Sequence, residues 1–304
     1  MNLYIFNHIT EDPVISALLE FKGNPGDELY FFIAQKMIDF SDRRLTDKNI
    51  IREYILRTML EKKAVADIDS HRDFLRHDVK TIYNQLFDVN WDELFRDAGF
   101  LSLCGISGRK KETVLKSYTI SIESMTDIDS NEALGGAILA HVEGFGIGKE
   151  ASHPAFSWDG ENLVAVDDID PVPLSELDGT DEQIDAILSN TEEFLCGNFA
   201  KDMLLSGRAN SSRYIKAVLN MYKDRGLRVI ELKSDRLSDI SAVLGAIENK
   251  ALKYIIYIDD ISEPDCQFLD KTLNNSLEKR PGNVLIYSAT GKYISTFSGI
   301  KIEF

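Results

Sequence analysis

From residue 180 onward, apolar strands alternate regularly with helices, and this alternation restricts the possible folds more than any other feature. Helices are predicted at Thr180–Leu195, Ser212–Arg225, Leu237–Asn249 and Asp265–Lys279, and strands at Asp202–Ser206, Leu227–Leu232, Tyr254–Ile258, Val284–Ser288 and Ile300–Phe304. Strand–helix repetition with continuously apolar strands is typical of a parallel sheet covered by helices on both faces. We therefore predict an α/β, three-layer domain over residues 167–304, beginning in the acidic, proline-bearing segment Asp167–Pro173.

The chain before this segment follows a different pattern. Residues 1–99 are predicted to be mainly helical, because apolar residues recur at helical intervals in Glu28–Ser41, Lys48–Lys62 and His71–Phe87. Residues 100–166 are predicted to form a small α+β segment. It would contain a strand at Leu115–Ser124, a helix at Asn131–His141, and a hairpin of Phe156–Trp158 and Leu163–Val166 that turns at Asp159-Gly160.

The composition excludes several classes of protein. A net charge of -16 disfavours nucleic-acid binding, because phosphate backbones select clustered Lys and Arg. The three cysteines are widely spaced, so the sequence indicates neither a disulfide framework nor a zinc site. Neither a signal peptide nor a membrane helix is predicted, and we expect a soluble cytoplasmic protein.

Two local features resemble functional motifs without matching them. Gly144–Lys149 is glycine-rich, but its spacing is wrong for a phosphate loop and it follows a helix, so we interpret it as a flexible loop. His71 and His77 have no matching cluster of ligands, and we expect them to have surface or packing roles. Neither His141 nor His153 lies in a Ser or Cys pattern that indicates a nucleophile.

Two strand ends carry the candidate chemistry, because ligands of α/β sheets lie beyond the carboxyl ends of the strands. The first is Ser206-Gly207, which leads through a polar loop into the helix that starts near Ser212. The second is the apolar strand that ends in Asp259-Asp260. A strand ending in two acids suits a site that holds hydrated Mg²⁺ and orients a water, although a capped turn gives the same pattern.

The segment Pro171–Thr290 resembles an uncharacterised bacterial family of AAA+ ATP-binding proteins, domain-of-unknown-function family 815. The similar stretches are VPLSELDGTDEQIDAILSNTEEFLCG, LLSGRANSSRYIKAVLNMYKDRGLRVIEL, YIIYIDDIS and LEKRPGNVLIYSAT. The resemblance implies a P-loop NTPase core of the AAA+ type, with ATP or ADP and Mg²⁺ as cofactors. The alternative is a protein that binds no cofactor.

The family motif implies G-x-x-x-x-G-K-[ST] after the first strand, and this chain departs from it. If the register is held from Gly207, Ser212 replaces the second glycine, Arg213 the lysine and Tyr214 the hydroxyl residue. If it is held from the helix, the loop is two residues short, and Asn210 replaces the glycine, Ser211 the lysine, while Ser212 keeps the hydroxyl. We favour the second register because the helix match is continuous. Both lose the lysine that neutralises the outer phosphates.

The resemblance assigns roles to a small set of residues. Phosphate contacts fall on Gly207, Arg208, Asn210, Ser211, Ser212 and Arg213, the metal falls on Ser212 and Asp259, and catalysis falls on Asp260. Arg208 or Arg213 would supply positive charge, although Arg does not copy the compact reach of Lys. The alternative is an ordinary strand–turn–helix connection retained for folding.

Further departures affect hydrolysis. Gly291 stands where the family has a polar residue that senses the outer phosphate, and neither a helix with an arginine finger nor a helical lid fits between Gly291 and Phe304. Phosphoryl transfer depends on positioning and charge stabilisation, so these losses remove most of the mechanism. We therefore predict a degenerate AAA+-like protein without efficient ATP hydrolysis, acting in nucleotide sensing or in binding to an intact ATPase, another protein or its own copies. The alternative is a weak magnesium-dependent ATPase.

Overall fold

The computed structural model describes residues 1–61, 71–97, 115–166, 172–177, 179–207, 211–248, 250–275 and 280–304. These residues form two compact units, Met1–Ser152 and His153–Phe304. Residues 167–171, in the segment where the sequence predicts a boundary, lie outside the described ranges. The hairpin assigned to the 100–166 segment belongs to the second unit, because its first strand pairs with the parallel sheet there.

The first unit contains helices and no strand among its described residues. Its helices are α1 (Pro13–Gly23), α2 (Asp27–Ser41), α3 (Ile50–Leu60), α4 (Arg72–Ile82), α5 (Trp91–Asp97), α6 (Lys116–Thr126), α7 (Asn131–Phe145) and α8 (Lys149–Ser152). Side-chain caps fix several of the starts: Asp12 accepts from two backbone N–H groups of α1, and Asn49 accepts from two of α3. None of the helices in the described part of the chain has the length and apolar composition needed to cross a bilayer.

The strand predicted at Leu115–Ser124 is wrong, because these residues start α6. The alternation that suggested a strand rests partly on Ile120, which is 65% exposed. The buried residues are Tyr118, Ile122 and Met125, which are spaced for one face of a helix. Packing of this face against neighbouring helices therefore overrides the local period-two pattern.

The predicted packing roles of the histidines have structural counterparts in the first unit. The His71 ring stacks on Phe74, and Nε2 of His77 lies 3.2 Å from the Asn2 carbonyl oxygen. Oγ of Ser121 lies 2.8 Å from Nδ1 of His141, a contact between residues that are twenty positions apart in sequence. However, burial lowers the pKa of His141 to about 4, so this imidazole is a weak base.

The second unit contains a seven-stranded sheet. Its strands are β1 (Ala155–Trp158), β2 (Leu163–Ala165), β3 (Met203–Ser206), β4 (Leu227–Glu231), β5 (Lys253–Ile258), β6 (Val284–Thr290) and β7 (Ile300–Glu303). They are arranged in the order β2-β1-β4-β5-β6-β3-β7. The β1–β2 hairpin is antiparallel and every other neighbouring pair is parallel. The predicted α/β fold with a parallel sheet is thus confirmed, and the antiparallel hairpin at one side makes the sheet mostly parallel.

Helices cover both faces of this sheet. One face packs against α11 (Ile240–Ile247) and α12 (Glu263–Asn275), and the other against α9 (Asp181–Leu195) and α10 (Ser211–Tyr222). Alternate strand residues supply the two cores: Tyr254 and Ile256 lie in the first, and Ile255 and Tyr257 in the second. Helix α11 begins later than predicted, because a 3₁₀ segment, Ser234–Asp239, precedes it.

An ion pair fixes β3 beside β6. Two nitrogens of the Arg280 guanidinium donate to the two carboxylate oxygens of Asp202, each over 2.6 Å, and the Ile286 N–H donates to the same carboxylate over 2.7 Å. Such bidentate geometry is both strong and directional. It sets the register of the strand that leads to the candidate phosphate loop.

Candidate functional site

The two strand ends singled out by the sequence open at the same edge of the sheet. Strands β3 and β5 are parallel and are separated by β6. Gly207 therefore follows β3 at the same edge where Asp259 follows β5. This is the edge at which ligands of parallel sheets bind.

Gly207 is required by the backbone itself. Its φ is +107°, a conformation that residues with a side chain rarely adopt, and its N–H donates to the Thr290 carbonyl over 3.3 Å. A Cβ at this position would lie 2.6 Å from the carbonyl oxygen of Phe304. The Phe304 ring in turn stacks on Tyr214, with ring centroids 4.2 Å apart. This glycine therefore has a purely structural explanation, and its presence alone does not indicate phosphate binding.

Part of the predicted phosphate loop lies outside the described residues. Arg208 and Asn210 fall there, and for Ser211 only the backbone, which begins α10, is described. The choice between the two loop registers therefore stays a prediction. Ser212, which keeps the hydroxyl in the favoured register, is the first residue of the helix whose side chain is described.

Ser212 and Asp259 line a common pocket of about 280 Å³. The pocket lies between the first turns of α10 and the face of strands β1, β4 and β5. Its walls are partly apolar, and its other polar residues are Lys216, Glu231 and Tyr257. The structure thus brings together the two residues predicted to bind the metal. A hydroxyl and a carboxylate are suitable oxygen ligands for a hydrated Mg²⁺, so both fit the role that the sequence assigns to them.

Tyr257 forms part of the pocket wall and is 4% exposed. Burial, followed by the negative charge of the nearby Asp259, raises its pKa above the ordinary value, so the phenol stays protonated at neutral pH. Among the described residues, its hydroxyl has no hydrogen-bond partner of normal geometry. A buried donor of this kind is costly when nothing accepts from it.

Asp260 is adjacent to the pocket but is not one of its lining residues. It is the one described non-glycine residue with positive φ, +50°, and its N–H donates to Oδ1 of Asp259 over 2.9 Å. Asp tolerates this left-handed conformation better than most residues. Asp259 thus lines the pocket and Asp260 does not, although both residues are exposed.

Arg213 is not directed at the pocket. Its guanidinium lies 3.3 Å from a carboxylate oxygen of Glu176, and both side chains are substantially exposed. A surface pair of this kind contributes little to stability. In the first loop register, Arg213 replaces the missing lysine. The ion pair with Glu176 therefore engages the positive charge that this register assigns to the phosphates.

The connection between β6 and β7 contains no helix across residues 291–299, all of which are described. Glu263 holds this segment, since its carboxylate accepts from the N–H and hydroxyl groups of both Ser295 and Thr296 over 2.6–2.9 Å. These hydrogen bonds lower the pKa of Glu263 to about 2. The segment is thereby tied to the start of α12.

The sequence did not indicate three polar residues of the pocket: Lys216, Glu231 and Tyr257. Two signals were available. Lys216 follows Ser212 by four residues, which places both on one face of a helix. Tyr257 and Asp259 are two apart, and in an extended chain such residues point to the same face. Glu231 lies at the end of β4, and its proximity to β5 could be predicted only from the order of the strands in the sheet.

One family model matches nearly half of the chain. Residues 151–292 match the family described as Protein of unknown function (DUF815), which confirms the resemblance. No curated protein is significantly similar to the chain.

Solved structures that resemble part of the chain include RuvB and DnaA. A variant of RuvB from Thermotoga maritima is 16% identical, with a TM-score of 0.33 over 44% of this chain and 48% of that one. The Thermotoga maritima RuvB Holliday junction branch migration motor is 18% identical, with a TM-score of 0.31 over 44% and 48%. AMPPCP-bound DnaA from Aquifex aeolicus is 17% identical, with a TM-score of 0.31 over 45% and 51%. The match spans about half the length of these proteins, and nothing about ligand or activity follows from so distant a likeness.

Proposed function

We propose that the second unit is a degenerate AAA+-like module that binds a magnesium-complexed nucleotide without turning it over efficiently, and that acts through nucleotide sensing or protein interaction. One observation carries the proposal: Ser212 and Asp259 line one pocket at the carboxyl edge of the sheet. Mg²⁺ bound there would neutralise phosphate charge. The N-terminus of α10 would present free N–H groups to the same anion.

The positively charged groups that ATP hydrolysis requires are not positioned at this site among the described residues. The loop sequence has no lysine, and the Arg213 guanidinium faces Glu176. The segment 291–299 offers no helix to carry an arginine finger. Positioned positive charge on the transferred phosphoryl group is the largest contribution to this catalysis, so binding is expected to persist where turnover does not.

The second candidate is a weak ATPase that uses Ser212, Asp259 and Asp260, with Arg208 or Arg213 replacing the lysine. The exposed position of Asp260 beside the pocket is the observation that favours it, because an acid there has access to a water. For Arg213 to take part, its guanidinium would first have to leave Glu176.

Calorimetric titration of the full chain with ATP and with ADP, each with Mg²⁺, tests the proposal. We expect saturable binding of both, which survives Asp260→Ala and weakens in Asp259→Asn. The Asp259 carboxylate lies in the pocket whereas Asp260 does not line it, so the two variants form a matched pair. Heats of dilution alone at millimolar nucleotide would overturn the proposal.

A further inference from the structure

Lys216 is a positively charged residue that lines the pocket and lies close in sequence to the predicted phosphate loop. It is on the second turn of α10, on the same helix face as Ser212, and both residues line the pocket. Within the described parts of the chain, Lys216 makes no hydrogen bond or ion pair. Because the Cα–Cβ bonds of a helix tilt toward its N-terminus, this side chain leads back toward Ser212 and the start of the helix.

The charges of the pocket restrict what it can hold. Among the described residues that line it, Glu231 and Asp259 carry carboxylates and Lys216 carries the one ammonium group. A bare phosphate would be repelled by the carboxylates, whereas a phosphate complexed with a divalent cation balances both signs. The pocket is therefore suited to a metal–phosphate complex and poorly suited to a free anion.

Tyr257 is an independent indication of a ligand. Its hydroxyl is buried in the pocket wall close to the Asp259 carboxylate, but it makes no hydrogen bond of normal geometry with the described residues. Such a group typically costs about 1–3 kcal/mol when it stays unsatisfied. A ligand oxygen in the pocket would accept a hydrogen bond from this hydroxyl and remove that cost.

From these observations we infer that Lys216 replaces the lysine missing from the loop, and that Lys216, Ser212 and Tyr257 hold the outer phosphates of a magnesium-bound nucleotide in the pocket beside α10. Glu231 and Asp259 provide the carboxylates that make the metal necessary. The inference rests on the proposed nucleotide binding and assigns it to residues that lie beside the loop. Such a site would keep affinity for phosphate but would not restore the arrangement of groups that hydrolysis needs.

The test is calorimetry of the full chain with ATP in the presence of Mg²⁺. Lys216→Met is expected to weaken binding roughly 10- to 100-fold, because a charge-assisted hydrogen bond is lost. Tyr257→Phe is expected to weaken it about 2- to 10-fold, because one neutral hydrogen bond is lost. Magnesium pyrophosphate, which has no base or ribose, should show the same dependence on both residues.

Two substitutions serve as matched controls. Lys223→Met removes a lysine just beyond the other end of α10, and Tyr254→Phe removes a buried hydroxyl from the same strand on the opposite face of the sheet. Both are expected to leave the affinity for ATP and Mg²⁺ within about twofold of the unsubstituted chain.

The outcomes separate the two proposals. Binding of ATP and Mg²⁺ that is unchanged in Lys216→Met would overturn the inference and leave the proposed function standing. A wild-type chain that binds no nucleotide at all would overturn both. A third measurement does not depend on any variant folding: replacing Mg²⁺ by EDTA should weaken ATP binding by about tenfold or more, and equal affinity would contradict the charge argument.

Discussion

Replacing Asp78 with alanine is expected to destabilise the first unit by about 3–5 kcal/mol. Asp78 is fully buried on α4, and its carboxylate accepts from the N–H groups of Tyr4, Ile5 and Phe6 over 2.7–3.0 Å. The substitution would leave three donors without this partner, two of them buried. It would also detach the N-terminal segment from the helix that anchors it.

Urea unfolding in a Trp158→Phe background isolates this effect, because Trp91, in the first unit, is then the chain's remaining tryptophan. Trp91 is buried and its indole N–H donates to the Leu86 carbonyl, so its fluorescence reports the packing of this unit. The control is Asp73→Ala on the same helix, whose side chain is 95% exposed and which should change stability by less than about 0.5 kcal/mol. Equal unfolding midpoints for the two variants would refute the anchoring role of Asp78.

Replacing Gly207 with alanine is expected to destabilise the second unit by about 2–4 kcal/mol. Two costs combine: the φ of +107° is strained for alanine, and the new Cβ would approach the Phe304 backbone oxygen to 2.6 Å. Relief requires either β3 or the end of β7 to move. The N–H of Phe304 donates to the Ser206 carbonyl at this point, so the β3–β7 ladder should open first.

Gly245→Ala is the matched control, and its expected effect on stability has the opposite sign. Gly245 lies inside α11 with open space around its Cβ position, so alanine there should stabilise by about 0.5–1 kcal/mol. Urea unfolding gives the two stabilities, and hydrogen exchange of peptides covering β3 and β7 locates the damage. Exchange in β3 and β7 that is unaltered by Gly207→Ala would show that the loop start tolerates a side chain.

The sequence predicted the second unit well because its strands are continuously apolar. A run such as Tyr254–Ile258 is buried on both faces, and only a helix-covered parallel sheet accommodates that pattern. Leu115–Ser124 failed for the opposite reason. Its apolar residues fit a period of two as well as a helical face, and burial of Tyr118 and Ile122 by tertiary packing decides between them.

The candidate site was predicted only in part. Ser212 and Asp259 were found because each follows a recognisable strand, and the edge of a parallel sheet is where such ends meet. Lys216 and Glu231 belong to different elements, and no local pattern shows that they share a pocket. Their proximity depends on the strand order, which places β4 next to β5 and α10 over both. Lys216 lies on the second turn of α10, outside the positions that the phosphate-loop motif covers, so the motif does not indicate it.

The central claim is that this site binds a nucleotide and does not turn it over efficiently. Steady-state phosphate release by the full chain with saturating ATP and Mg²⁺, compared with Asp259→Asn, tests it most directly. Release by the unsubstituted chain is expected to be no faster than release by the variant. Magnesium-dependent release that disappears in Asp259→Asn would contradict it and would establish a working ATPase.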